Sequence, residues 1–213
     1  MNISAIIDGW NLVPHITNIQ KFSKYYLSET GWIKSVKEGA SIDSDGKPVP
    51  WLTYPAIDFL KGKDFSRHDM LEYGAGNSTI WWAARVKSIV SVEHNVFHYR
   101  KVRDKKLSNA TLLLRSEYKG IYENSPTFID KKKYDIISIG AIRRMECLDV
   151  SFDLLCEDGV IIFDCSMREE YGQHHHLFKS RGFKSIDFMG PKPISPYKSC
   201  TAIFYRQDNV LGI

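Results

Sequence analysis

The sequence predicts an α/β protein: a mostly parallel, twisted sheet with helices on both faces and one antiparallel edge strand. Three observations predict it. Short apolar runs alternate with helical stretches from Asp69 onward, the order that builds parallel strands joined by crossover helices. Gly74-Ala75-Gly76 stands between one such run and a helical stretch, a strand–turn–helix order suited to holding a nucleoside at the carboxyl ends of strands. The last two runs, Phe183 to Phe188 and Thr201 to Tyr205, have only the loop Pro191 to Pro196 between them, so they read as an antiparallel pair.

The elements follow in order. Residues 1 to about 38 are weakly periodic, with helical pieces near Pro14 to Tyr26 and Glu29 to Lys37. Ser41 to Pro50 is a turn segment, because Asp45-Gly46 and two prolines break regular structure. Trp51 to Leu60 reads as an apolar helix with Pro55 near its start. Strands are expected at Met70–Tyr73, Ile89–Val92, Ala110–Leu114, Tyr134–Ile139 and Val160–Phe163, the last ending in Asp164. Crossover helices are expected from Ser78 or Thr79, as cap, to Val86, then at Val96–Leu107, Met145–Leu155 and Gln173–Ser180. Glu157-Asp158-Gly159 reads as a turn before the fifth strand. Residues 1–50 are therefore taken as an N-terminal helical and loop extension, and 51–213 as the main domain.

Composition bounds the function. The chain of 213 residues, 43% hydrophobic and 25% charged, can hide roughly 70% of its unfolded surface in one core. A net charge of +4 permits an anionic partner without requiring one. Cys147, Cys156, Cys165 and Cys200 form no Cys-x-x-Cys pair and read as reduced core thiols. The first residues lack a basic and apolar leader, and no run reaches the ~18 apolar residues of a membrane span. A cytoplasmic location is expected, with no membrane partner.

The glycine turn carries the chemistry. Gly74 and Gly76 let the backbone turn and approach a ligand, and the N–H groups near Asn77, Ser78 and Thr79 favour an electron-rich group. Glu93 ends the second strand, placed to accept hydrogen bonds from both ribose hydroxyls. A dinucleotide site wants a third glycine where Thr79 stands, which counts against a nicotinamide oxidoreductase. Glu72 instead precedes the first glycine by two positions.

The run Glu72-x-Gly74-x-Gly76, with Glu93 following, resembles the first motif of the class I S-adenosylmethionine-dependent methyltransferases. The resemblance covers about Trp51 to Asp164, more loosely to Arg206, and none of the first 50 residues. It implies a Rossmann-like methyltransferase fold and S-adenosylmethionine as cofactor. Glu72, Gly74, Ala75, Gly76, Asn77, Ser78 and Thr79 would face the methionine portion, and Glu93 the ribose. His94 stands either by the adenosine or on the surface. Ser116 and Glu117 are candidates for the adenine end, Glu117 being otherwise a solvated side chain.

The transfer expected is to an oxygen or nitrogen of a small molecule. Asp164 is a candidate general base or else a cap for the turn. Arg144, with Arg143, either holds an anionic substrate group or forms an ion pair at the helix entry. Trp51, Tyr54, Tyr118 and Tyr122 either wall a pocket or pack in the core. Gly140 stands where many members of that family carry an acid, and Asp164-Cys165 where a magnesium-dependent subgroup carries Asp-Asn, so no metal is expected. The missing acid also keeps open a catalytically silent adenosyl-binding or interaction protein. His174-His175-His176 is read as a solvated helix face. The basic runs at Tyr99–Lys106 and Lys131–Lys133 are likewise read as solvated, so no nucleic acid is expected. A homo-oligomer is left open.

Overall fold

The computed structural model describes residues 12–129, 133–167 and 174–213. A seven-stranded sheet runs in the order β3-β2-β1-β4-β5-β7-β6. Its strands are β1 (Asp69–Tyr73), β2 (Ser88–Glu93), β3 (Ala110–Leu114), β4 (Tyr134–Ile139), β5 (Leu155–Asp164), β6 (Lys184–Gly190) and β7 (Ser199–Tyr205). Pairs β1–β2, β1–β4, β2–β3 and β4–β5 are parallel; β7 runs antiparallel to both β5 and β6. The reversed strand therefore lies one position inside the edge, with β6 outside it.

The helices are α1 (Leu12–Phe22), α2 (Trp32–Glu38), α3 (Tyr54–Lys61), α4 (Asn77–Ala83), α5 (Val96–Arg103), α6 (Arg144–Leu154) and α7 (His174–Ser180). A π-helical turn, Ser23–Leu27, extends α1. Pro55 sits in the first turn of α3, where its missing N–H costs nothing. The Asn95 side chain caps α5 by accepting from the Phe97 and His98 N–H groups at 2.9 and 3.3 Å. Gln173, expected to open the last helix, lies outside the described residues.

Successive strand residues point to opposite faces, and the core divides accordingly. Leu71, Ile137, Ile139, Ile161 and Phe163 pack with Cys147 and Leu148 of α6 and Phe178 of α7. Met70, Ile136, Val160, Ile162 and Ile203 pack with Ile57 and Leu60 of α3 and Trp81 and Trp82 of α4. Burying a side chain of this size stabilises by about 1.5–3 kcal/mol. All four cysteines are free. Among the described residues no helix is long and apolar enough to cross a membrane.

Two local expectations are corrected. Glu157-Asp158-Gly159 is no turn but part of β5, taken up by a register shift between Tyr134↔Leu155 and Ile136↔Val160; pairing with β4 outweighs the local turn preference. The helix after the glycine turn starts at Asn77, with Gly76 in the capping position rather than Ser78 or Thr79.

The N-terminal segment docks onto the rest of the molecule. Trp32 Nε1 donates to Ser195 O at 3.0 Å. Ser35 Oγ donates to Ile42 O at 2.7 Å and accepts from Ile42 N at 3.1 Å. Gly31, at φ +83°, lies so close to Asp43 that a Cβ would come within 2.4 Å of its carbonyl carbon, so only glycine fits there.

Candidate functional site

A cavity of about 410 Å³ opens at the carboxyl ends of β1, β2, β4 and β5. One wall is the turn from β1 into α4, Gly74 to Ser78. Gly74 has φ +110°, and a Cβ on it would come within 2.9 Å of Ala141 Cβ. Both the left-handed backbone and the close approach demand glycine. Gly76 is different: its φ is 172° and a Cβ there would meet nothing within 4 Å. Its missing side chain leaves open space beside the cavity rather than relieving the backbone.

Behind this wall lies a buried polar knot. Thr79 Oγ1 accepts from the Gly76 N–H at 3.0 Å and donates to Glu72 Oε2 at 2.6 Å. Ser91 Oγ, from β2, donates to the same Glu72 oxygen. Glu72 is buried and does not reach the cavity wall. Burial pushes its carboxyl up to about 7, against hydrogen bonds from Ser78, Ser91 and Thr79 that pull the other way; the nearby Glu93 charge adds to the rise. Thr79, where a third glycine would stand, thus ties the turn to two strands.

Glu93 reaches the cavity from the end of β2. Its Oε1 accepts the backbone N–H groups of His94 and Asn95 at 2.8 and 2.6 Å, which sets the carboxylate's orientation before any ligand arrives. His94 lines the cavity beside it, with its ring edge-on to Tyr122 at 6.0 Å. His98 and Lys101 of α5 line the same side.

The opposite wall comes from the ends of β4 and β5 and from the β6–β7 loop. Arg144 donates to three carbonyls: Ala141 O at 2.9 Å, Gly140 O at 2.9 Å and Asp164 O at 2.8 Å. It staples the two strand ends together. Asp164 Oδ2 accepts from Lys192 Nζ at 3.0 Å and lies 3.8 Å from Arg144 Nη2. Lys192 Nζ also donates to Cys165 Sγ at 2.9 Å. Trp51, half exposed, lines the cavity with its ring centroid 5.7 Å from that ammonium. Gly39, Ala40 and Ser41 complete the lining, held by Asn77 Nδ2 donating to Ser41 O at 2.7 Å.

The structure brings Gly74, Ala75, Gly76, Asn77, Ser78, Glu93, His94, Arg144 and Asp164 around one cavity. Glu72 and Thr79 lie one layer behind it. Ser116 and Glu117 are exposed beyond β3 and line no part of it. Of the four aromatics singled out in the sequence, Trp51 alone reaches the wall. Tyr122 is buried, its hydroxyl donating to Val92 O at 3.1 Å; Tyr54 is buried elsewhere; Tyr118 is exposed. Arg143 pairs with Glu146 and lies 3.5 Å from Glu123. His175 sits 3.9 Å from Asp187, away from the cavity. Gly140 has room for a side chain: a Cβ would meet only Tyr73 O, at 3.9 Å. Sequence reasoning missed Lys192, Cys165, His98, Lys101 and Gly39 to Ser41. The one available signal was Lys192 between Pro191 and Pro193, a lysine on a stiffened loop.

No protein-family model matches the chain, and no curated protein matches its sequence. Solved structures do match its fold. A precorrin-6y C5,15-methyltransferase from Geobacter metallireducens is 18% identical, with 79% of this chain and 98% of that one covered at a TM-score of 0.59. An rRNA methylase from Streptococcus thermophilus is 14% identical, covering 74% and 100% at 0.56. A putative methyltransferase from Streptococcus mutans, in complex with SAH, is 12% identical, covering 70% and 94% at 0.51. At these identities the likeness is one of fold.

Proposed function

We propose that this chain, built on the Rossmann-like methyltransferase fold, is an S-adenosylmethionine-dependent methyltransferase acting on an oxygen or nitrogen of a small molecule. One observation carries the reading. A single cavity has the Gly74–Ser78 turn and the Glu93 carboxylate on one side and the Asp164–Arg144–Lys192 set on the other. The residues fit the cofactor. The open space at Gly76 admits a ligand against the backbone. Glu93, with Oε1 fixed by two N–H groups, offers a pre-oriented carboxylate to a ribose diol. The bound sulfonium supplies an already activated methyl group, so the protein's task is alignment and, where the acceptor requires it, removal of a proton.

Each residue then has a part. Thr79 and Glu72 hold the turn in shape, and Arg144 holds the ends of β4 and β5 in register. Asp164 lies at the acceptor end. In the Mg²⁺-dependent subgroup an acid would stand at Gly140, so no metal is part of this mechanism. Calorimetric titration with S-adenosylmethionine tests the reading. Charge-assisted hydrogen bonds contribute about 1.5–3 kcal/mol each, so Glu93→Ala should weaken binding at least about tenfold. Equal affinity in the variant would remove the ribose assignment.

Gly140 favours one second reading, a silent adenosyl-binding protein on the same fold. A labelled-methyl screen against metabolite extracts separates the two. Transfer to any acceptor supports the enzyme, and cofactor binding with no transfer supports the silent binder.

A further inference from the structure

The amino ends of β1, β4 and β5, at the opposite end of the sheet from the cavity, hold a second cluster of chemically able side chains. It follows from the register shift in β5. Tyr134 pairs with Leu155 and Ile136 with Val160, so Asp135 alone on β4 stands across from Cys156, Glu157, Asp158 and Gly159. Cys156 and Asp158 are two positions apart and fall on one side of the chain. The shifted segment lies tight against β4: a Cβ on Gly159 would come within 3.1 Å of Asp135 O. A carboxylate oxygen of Asp135, Cys156 Sγ and a carboxylate oxygen of Asp158 all lie within 4.8 Å of one another.

Asp135 is held from behind. Its Oδ2 accepts the Asp69 N–H at 2.7 Å, and His68 Nδ1 lies 3.7 Å from the same oxygen. Burial, together with the adjacent Asp135, pushes the Cys156 thiol up to about 11, while the Lys133 charge draws it the other way. Without a cation Cys156 is therefore a protonated thiol, not a nucleophile.

A thiol between two carboxylates suits one class of cation. Mg²⁺ and Ca²⁺ want about six to eight oxygens, which this set does not offer. Zn²⁺ takes four ligands drawn from sulfur, nitrogen and oxygen at about 2.0–2.3 Å, which places neighbouring donors roughly 3.3–3.8 Å apart. Three atoms already within 4.8 Å of one another reach that spacing by shifts of about 1 Å or less. We propose that Asp135, Cys156 and Asp158 form a zinc site, with water as the fourth ligand and His68 steadying Asp135 from outside the coordination sphere. The site is independent of the methyltransferase reading and takes no part in transfer. It ties the shifted start of β5 to β4. On binding, the S–H bond breaks, its electron pair stays on sulfur and forms the Zn–S bond, and the proton passes to water.

Cobalt(II) chloride is the probe, because Co²⁺ enters zinc sites and shows a sulfur-to-metal charge-transfer band only when a thiolate binds it. His174 to His176 can also take up such metals, but imidazole gives no such band. Titration of the full chain should raise the band to saturation at one Co²⁺ per chain, and added Zn²⁺ should remove it. Cys156→Ser should abolish the band. Asp158→Asn should weaken Co²⁺ binding at least as much as the loss of an outer partner does, about tenfold. Cys165→Ser should change neither. Zinc at about a hundredfold over its dissociation constant should raise the parent's melting temperature roughly 5–10 °C more than that of Cys156→Ser.

Absence of the band in the unmodified protein overturns the proposal, whatever the variants do. So does a band that survives Cys156→Ser, or one lost in Cys165→Ser instead. Asp158 is exposed, so Asp158→Asn carries the test should Cys156→Ser fail to fold, and undiminished Co²⁺ affinity in that variant also overturns the site.

Discussion

Replacing Glu72 with glutamine removes a charge that the fold keeps away from water. The Glu72 carboxyl is pushed from 4.5 up to about 7 by burial. Each unit is worth about 1.4 kcal/mol, so the shift corresponds to roughly 3 kcal/mol. The sign follows from proton counting. Below pH 4.5 the group is protonated in both folded and unfolded chains and contributes no difference. Between 4.5 and about 7 only the folded chain keeps the proton, so stability falls as pH rises. Above about 7 the full loss is present. Glutamine keeps acceptor oxygen for Thr79 and Ser91 and does not titrate. Urea unfolding of both proteins from pH 4 to pH 8 should show the variant gaining about 3 kcal/mol on the parent across that window. For a chain of this size that is roughly 6–12 °C in melting temperature. Any constant offset from the amide drops out of the comparison. Parallel pH–stability curves for the two proteins would refute the reasoning.

The two glycines of the turn should behave oppositely. Gly74→Ala meets both the left-handed backbone and Ala141, so it should cost about 1–3 kcal/mol of stability in thermal unfolding. Gly76→Ala should unfold like the parent yet weaken S-adenosylmethionine binding in calorimetry, because its methyl enters the open side of the turn. Arg144→Ala strips three carbonyls, that of Asp164 buried, of a donor and leaves Asp164 with one cation fewer. It should cost about 3 kcal/mol or more in urea unfolding.

What was legible in the sequence is what the chain places close together. Strand, glycine turn, helix, strand and Glu93 fall within 25 residues, and each local signal agrees with the next. The parallel sheet followed from the same alternation, and the reversed β7 from the missing crossover helix. Two local signals misled. Asp158-Gly159 reads as a break, yet β5 pairs through it with a register shift. Ser78 and Thr79 read as helix caps, yet Thr79 turns inward to Glu72 and caps the Gly76 N–H from the third helical position. The far wall of the cavity was poorly legible because its parts arrive from afar: Trp51 before α3, Gly39 to Ser41 from the N-terminal segment, and Lys192 from a loop 28 residues beyond Asp164. None belongs to a motif; only the closed sheet brings them together. Ser116 and Glu117 stand outside the cavity lining for a related reason: spacing after β3 says nothing about which way the following loop turns.

The central claim is that the Gly74–Glu93 wall binds an adenosyl sulfonium, and calorimetric titration of the full chain with S-adenosylmethionine and, separately, with NAD tests it most directly. The account predicts one-to-one binding of S-adenosylmethionine that weakens at least about tenfold in Glu93→Ala, and no heat with NAD. Heat with NAD and none with S-adenosylmethionine would contradict it.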